Sequence, residues 1–155
     1  MKQWILITGG TKGIGQAVAR CLAKAGYPLL LTYHADQAAA ETVSRSLQET
    51  YGVEVKTLCA DNSDPAAIEV IDRYLETHQL SLQAVVFNAG LTCRDAFEAL
   101  KPADWERVFY ANVHFPVFLL QRLVGRMVAG GSVVFTGSLM GIQPHSVSLA
   151  YGVTK

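Results

Sequence analysis

The chain has 155 residues, enough for one domain with a substantial core, since a domain near this size buries about 70% of the surface that its unfolded chain exposes. Half of its residues are hydrophobic and only 17% are charged, which suits a sheet covered on both faces and excludes a disordered chain. Thirteen basic residues balance thirteen acidic ones with no basic run, so the electrostatic footprint of a nucleic-acid binder is missing.

Cys21, Cys59 and Cys93 are widely spaced and odd in number. They match neither a zinc-ligand pattern nor a disulfide framework, and they read as reduced thiols with no metal site expected. The Trp4–Ile7 run is too short for a signal-peptide core, and no segment reaches membrane-spanning length. A cytoplasmic protein with no membrane partner is expected.

Short apolar or β-branched runs at Trp4–Thr8, Leu29–Tyr33, Val53–Cys59, Ala84–Phe87 and Ser132–Thr136 read as strands. Between them lie stripes of helical spacing. The first comprises Ala17, Val18, Cys21, Leu22 and Ala25; Ala40, Val43 and Leu47 form the second, and Ile68, Ile71 and Leu75 the third. Gly26 stands where a left-handed helix cap is common, and Asp64-Pro65 places a capping side chain before a helix-initiating proline. Five strands alternating with four helical connections predict a doubly wound α/β domain with a parallel, Rossmann-type sheet.

The first strand runs into T-G-G-T-K-G-I-G, Thr8 to Gly15, and then into a helix. Glycines there let the backbone approach a pyrophosphate, and the free N–H groups and dipole of the helix start favour its charge. The spacing is T-G-x-x-x-G-I-G rather than G-x-G-x-x-G, and no G-K-[ST] closes it as in a P-loop.

This turn resembles that of the short-chain dehydrogenase/reductases, and further family motifs follow in order. Asp61-Asn62 succeeds the third strand, and Asn88-Ala89-Gly90 resembles the family's N-N-A-G with Phe87 in place of the first Asn. Asn112 lies in the long crossover helix, Ser138 follows the fifth strand, and Tyr151-x-x-x-Lys155 completes the set. The resemblance spans residues 1–155 as a single NAD(P)-binding Rossmann domain with strand order 3-2-1-4-5. The family continues beyond this point, so the chain reads as truncated after the Tyr-x-x-x-Lys motif, with the family's later strands missing. Cofactor contacts are implied for Gly9, Thr11, Lys12, Gly13, Ile14, Gly15, Tyr33, His34, Asp61, Asn62, Asn88, Ala89, Gly90, Tyr151 and Lys155.

An acid at the end of the second strand would bind a ribose 2′-OH and repel a 2′-phosphate. Tyr33 occupies that position, Asp36 reads as a helix cap, and Lys12 supplies positive charge. NADP(H) is therefore expected rather than NAD(H).

Carbonyl reduction needs a proton donor beside the carbonyl while the cofactor carries the hydride. Tyr151 is the expected acid. A free phenol ionises at about pH 10, and the cation of Lys155 one helical turn away favours the phenolate. Ser138 is expected to hydrogen-bond the substrate carbonyl; it lacks the G-x-S-x-G frame of a hydrolase nucleophile. His145 has no evident carboxylate partner and reads as a loop residue.

Trp105, Val108, Phe109 and Asn112 share a helical stripe, which puts an amide on an apolar face. Pro116, four residues on, has no N–H for the Asn112 carbonyl, so a kink is expected there. In the family the corresponding carbonyl holds a water that relays protons through the lysine, although glycine is usual at the position of Pro116.

Within the family the motifs most resemble 3-oxoacyl-acyl-carrier-protein reductases, implying reduction of a 3-oxoacyl thioester with NADPH and, for the full-length protein, a homodimer or homotetramer. Val124–Gly131 carries only Arg126 as a basic residue for docking an acidic carrier protein. Other ketones (steroid, sugar or polyketide) remain open, as does a cofactor-binding fragment with little turnover.

Overall fold

A computed structural model describes residues 2–143 and 148–155; His145 lies outside them. The elements are β1 (Gln3–Ile7), α1 (Gly13–Lys24), β2 (Leu29–Tyr33), α2 (Gln37–Tyr51), β3 (Val55–Cys59), α3 (Ala66–Thr77), β4 (Ser81–Phe87), α4 (Pro102–Phe109), α5 (Phe115–Leu123), β5 (Met127–Phe135) and α6 (Leu149–Val153). The strands form one parallel sheet in the order β3-β2-β1-β4-β5, as expected from the sequence.

Successive residues of a strand point to opposite faces, and β1 uses both. Trp4 and Leu6 join a core with Ile71, Leu75, Phe115 and Leu119, beneath α3 and α5. Ile5 and Ile7 join Ala19, Ala23, Val43 and Leu47 on the other face, beneath α1 and α2. Burying a side chain such as Leu6 or Ile71 completely contributes about 1.5–3 kcal/mol. A strand apolar at every position is the consequence of a sheet buried on both sides.

Two strands are longer than the apolar runs announce. β4 starts at Ser81, and β5 starts at Met127, where the register breaks between Leu82↔Met127 and Ala84↔Ser132. Gly130, at φ 77°, lies within the extra residues. The bulge interrupts the apolar run, which hides this half of the strand from the sequence. As the outer strand of the sheet, β5 leaves Val134 and Phe135 exposed. Phe87, in the place of the family's asparagine, is buried and stacks on Phe135 across the pair at 4.9 Å.

In the crossover after β4 the helix widens just before Pro116 into a π-helical turn, Tyr110–His114, between α4 and α5; such a bulge is among the causes of helix kinks. The Phe115 N–H donates to the Tyr110 carbonyl, five residues back. Pro116 cannot continue the i→i−4 ladder and its ring crowds the carbonyl four residues earlier, so a wider turn relieves both problems. Phe115 and Pro116 are themselves buried, which anchors the start of α5 in the core.

Candidate active site

The phosphate turn is held by the neighbouring strand ends. Thr8 Oγ1 accepts the backbone N–H groups of Asn88 (3.0 Å) and Ala89 (3.1 Å), while Asn88 Nδ2 donates to the carbonyls of Thr8 (3.1 Å) and Gly9 (3.3 Å). The Gly9 N–H reaches Thr32 Oγ1 (3.2 Å) and the Gly10 N–H the Thr32 carbonyl (3.1 Å), tying the turn to the end of β2. Gly9 adopts φ 62°. A Cβ on Gly15 would overlap the Gly9 carbonyl oxygen and stand 2.6 Å from Asn88 Nδ2. Lys12 precedes α1 without a side-chain cap, so the first N–H groups of the helix have no partner from that side chain. Thr11 is buried in the turn, and Ile14 is exposed beside it. Backbone N–H groups at a helix start, with no side chain in the way, fit the pyrophosphate of a dinucleotide.

Beside the turn, a cleft of about 160 Å³ is lined by Gly9, Thr32, Tyr33, His34, Asp61, Asn62, Ala89 and Gly90, among others. It opens at the carboxyl ends of β1 and β4, where the strand order reverses and such sheets bind ligands. Asp61 accepts the Ser63 N–H through Oδ1 (2.9 Å) and faces His34 Nε2 through Oδ2 (3.2 Å). Desolvation raises the Tyr33 hydroxyl pKa above the usual tyrosine range, reinforced by Cys59 and Glu41. Asp36 caps α2 by accepting the Ala39 N–H (3.0 Å), as expected, and it also holds Lys12, with Nζ–Oδ2 at 2.6 Å. The Lys12 bond, then the Ala39 N–H, keeps the Asp36 carboxyl below its usual range.

The expected catalytic residues gather at the far end of the same sheet edge. Ser138 follows β5, and its Oγ accepts the Met140 N–H (3.2 Å), which leaves the hydroxyl proton free to donate elsewhere. α6 packs on the turn Leu139–Gly141 that Ser138 starts, and a Cβ on Gly152 would come within 3.2 Å of the Met140 carbonyl oxygen. Lys155 lies past the end of α6, but a tightened last turn, with its N–H on the Gly152 carbonyl (3.2 Å), keeps it near Tyr151. Its Nζ stands 5.5 Å from the Tyr151 ring centroid and donates to the Thr136 carbonyl (3.0 Å). Half-burial pushes its ammonium pKa down.

Asn112 joins these parts. Its Oδ1 accepts the Leu91 N–H (2.7 Å), and its Nδ2 donates to the Leu91 carbonyl (2.9 Å) and to Thr154 Oγ1 (2.9 Å). A Cβ on Gly90 would stand 3.5 Å from both Asn112 Oδ1 and Lys155 Nζ, so amide and ammonium border one small space.

Three threonines escaped the sequence reading. Thr8 organises the phosphate turn, the Thr136 carbonyl holds Lys155, and Thr154 Oγ1 donates to the Tyr151 carbonyl (2.8 Å) while accepting from Asn112. Only Thr8 and Thr154 sit inside quoted motifs, where their neighbours drew the attention. Buried Ser148 was also missed; it has φ 85° and accepts from Thr92 Oγ1 (3.3 Å) just before α6.

Met140, Ile142, Leu149 and Val153, with Gly141, Ser148 and Gly152, line a second cavity of about 330 Å³ between α6 and the turn after Ser138, and Tyr151 is not among its walls. Among the described residues no cluster of His, Cys, Asp or Glu is placed to hold a metal ion, and no helix is long and apolar enough to cross a membrane.

The 3-oxoacyl-[acyl-carrier-protein] reductase FabG of Aggregatibacter actinomycetemcomitans is 33% identical over 162 residues, covering 100% of this chain and 65% of that protein. The L-rhamnose 1-dehydrogenase (NADP(+)) of Thermoplasma acidophilum is 32% identical over 97% of this chain and 60% of its own length. The structure of L-sorbose reductase from Gluconobacter frateurii, complexed with NADPH and L-sorbose, superposes with a TM-score of 0.92 at 26% identity, covering 99% of this chain and 59% of that one. The chain thus spans 60–65% of the length of these two curated relatives. The family model for short chain dehydrogenases matches residues 3–155, and with the sheet order and the glycine turn already in place, the chain belongs to that family.

Proposed function

We propose that this chain carries the nucleotide-binding and proton-donating parts of an NADPH-dependent carbonyl reductase. Its preferred substrate is a 3-oxoacyl thioester on an acyl carrier protein, reduced to the 3-hydroxyacyl form. The observation that carries the reading is the convergence of Tyr151, Lys155 and Asn112 on one sheet edge that also bears the glycine turn.

When bound, the nicotinamide supplies a hydride to the carbonyl carbon. Tyr151 donates its hydroxyl proton to the carbonyl oxygen, so the product gains one hydride on carbon and one proton on oxygen. The Lys155 Nζ stands 5.5 Å from the Tyr151 ring centroid, close to where the proton leaves. Ser138, oriented by the Met140 N–H, donates a hydrogen bond to the same carbonyl oxygen and holds it in line. Asn112 fixes the Leu91 backbone and the end of α6, which sets where Tyr151 and Lys155 stand.

The turn from Gly9 through Thr11, Gly13, Ile14 and Gly15 would hold the pyrophosphate. Asp61 and Asn62 would face the adenine, and Tyr33, His34 and Lys12 the 2′-phosphate. Asn88, Ala89 and Gly90 would floor the site, and Lys155 would hold the nicotinamide ribose. NADPH and NADP in the names of similar proteins support this cofactor.

The 33% identity to the 3-oxoacyl-[acyl-carrier-protein] reductase FabG over the whole of this chain supports a 3-oxoacyl thioester over a polyol. Arg126 does not serve a carrier protein in this reading, since it is paired with Asp72 (Nε–Oδ1, 2.7 Å) and only 27% exposed. The protein works in the cytoplasm with its three thiols reduced, and at full length as a homodimer or homotetramer. NADPH oxidation with acetoacetyl thioesters, on coenzyme A and on a carrier protein, is compared with steroid, polyketide and sugar ketones. Faster turnover of a sugar such as L-sorbose would overturn the substrate assignment and leave the reductase chemistry standing.

A further inference from the structure

The sequence offers Lys12 as the cation for a 2′-phosphate, yet the folded chain already gives it a carboxylate partner. Lys12 Nζ stands 2.6 Å from Asp36 Oδ2, across the gap between the phosphate turn and the loop that follows β2. Both side chains are about half exposed or more, at 65% and 47%. The backbone around them is fixed from both sides: Gly9 and Gly10 bond to Thr32, and Asp36 is anchored by capping Ala39. His34, two residues before Asp36, lines the cleft itself. A phosphate group arriving at this corner meets a lysine whose charge is shared and a carboxylate that repels it.

We propose that Asp36 is a specificity-determining residue that weakens NADPH binding by competing with the 2′-phosphate for Lys12. The inference rests on the NADPH reading above. Asp36 acts in two ways with the same sign: it occupies the ammonium, and it adds a negative charge near a dianion. An exposed ion pair of this kind is weak and screened by salt, so the phosphate can displace it. NADH carries a 2′-hydroxyl there and is largely indifferent to the exchange. The pair therefore narrows the preference for NADPH over NADH without abolishing it.

Asp36→Asn tests this cleanly, because Asn caps a helix as well as Asp does and only the charge is removed. Calorimetric titrations of NADPH and NADH are made with the parent, Asp36→Asn, Lys12→Gln and the double variant, and Asp36→Ser, which also caps, repeats the charge removal. Asp36→Asn should tighten NADPH binding by about two- to fivefold and change NADH by less than about twofold. The gain should shrink in about 0.5 M salt. In the Lys12→Gln background the same change should yield less than about twofold, because no lysine remains to be released.

An unchanged NADPH-to-NADH ratio in both Asp36 variants would overturn the proposal. So would an equal gain with and without Lys12, which would mean repulsion alone. Equal binding of the two nucleotides by the parent would defeat the NADPH reading first, before any variant is compared, and the inference would fall with it.

Discussion

Thr154→Val removes one hydroxyl and keeps the shape of the side chain, so it isolates a connection that joins three segments. Thr154 Oγ1 accepts from Asn112 Nδ2 at 2.9 Å and donates to the Tyr151 carbonyl at 2.8 Å, both partly buried. At about 1 kcal/mol net per bond, the loss is about 2 kcal/mol. For a chain of this size that corresponds to a fall in Tm of about 4–8 °C. The variant should also loosen the last turn of α6, where Tyr151 and Lys155 are held. Turnover should drop by about tenfold or more, in keeping with the sensitivity of catalysis to misplacement. Nucleotide affinity should stay within about threefold, since Thr154 does not line the cleft beside the glycine turn. Thermal melts by circular dichroism, NADPH oxidation and a nucleotide titration separate these effects. Thr154→Ser, which keeps the oxygen, should recover most of the turnover. A Thr154→Val protein with the melting temperature and turnover of the parent would show that the bridge carries nothing.

Three further outcomes follow from the same geometry. Gly15→Ala should abolish measurable dinucleotide binding and cost about 1–3 kcal/mol in urea unfolding, because its Cβ would meet the backbone of Gly9. Gly13→Ala meets no atom within 4 Å and should cost only the about 1–2 kcal/mol of its positive φ, so equal losses of binding at the two positions would contradict the close-approach reading. Tyr151→Phe should lower kcat by about 10²- to 10⁴-fold while NADPH titrations remain within about threefold, and retention of even a tenth of the parent rate would remove Tyr151 from the role of acid. Burial makes Lys155 release its proton at lower pH in the folded chain than in the unfolded one. From that lowered value up to the ordinary lysine value of about 10.4, the folded state binds fewer protons, so stability rises with pH. Urea midpoints at about pH 8 and pH 10 should therefore move in favour of the parent over Lys155→Met, and parallel shifts in the two proteins would refute the burial effect.

The sheet was legible because each strand announces itself locally. A parallel strand covered on both faces must be apolar at consecutive positions, and Trp4–Ile7 and Leu29–Leu31 read that way without knowledge of their neighbours. The first half of β5 was not legible, since its bulge and Gly130 break the apolar run and only pairing with β4 makes it a strand. The π-helical turn was half legible. Pro116 announces a missing donor, but the extent of the wider turn depends on how its flanks are held, and Val108, Phe115 and Leu119 are buried on either side.

The candidate site divides along the same line, and the division explains why its threonines were missed. Glycines in the phosphate turn and the Tyr151–Lys155 spacing are local patterns, visible wherever the chain is read. Thr8, Thr136 and Thr154 instead owe their roles to partners brought near by the sheet: Asn88 lies eighty residues from Thr8, and Asn112 lies forty-two from Thr154. A hydroxyl, or in Thr136 a backbone carbonyl, at a strand or helix end satisfies whatever polar group the fold delivers, so its residue type says little in advance. Lys12 makes the same point in reverse. Its charge was legible, but its partner was not, because the cap of α2 and the phosphate turn meet only after β1 and β2 pair. Charge near a ligand counts only for what its neighbours leave free, and at this corner of the cleft the neighbour is Asp36.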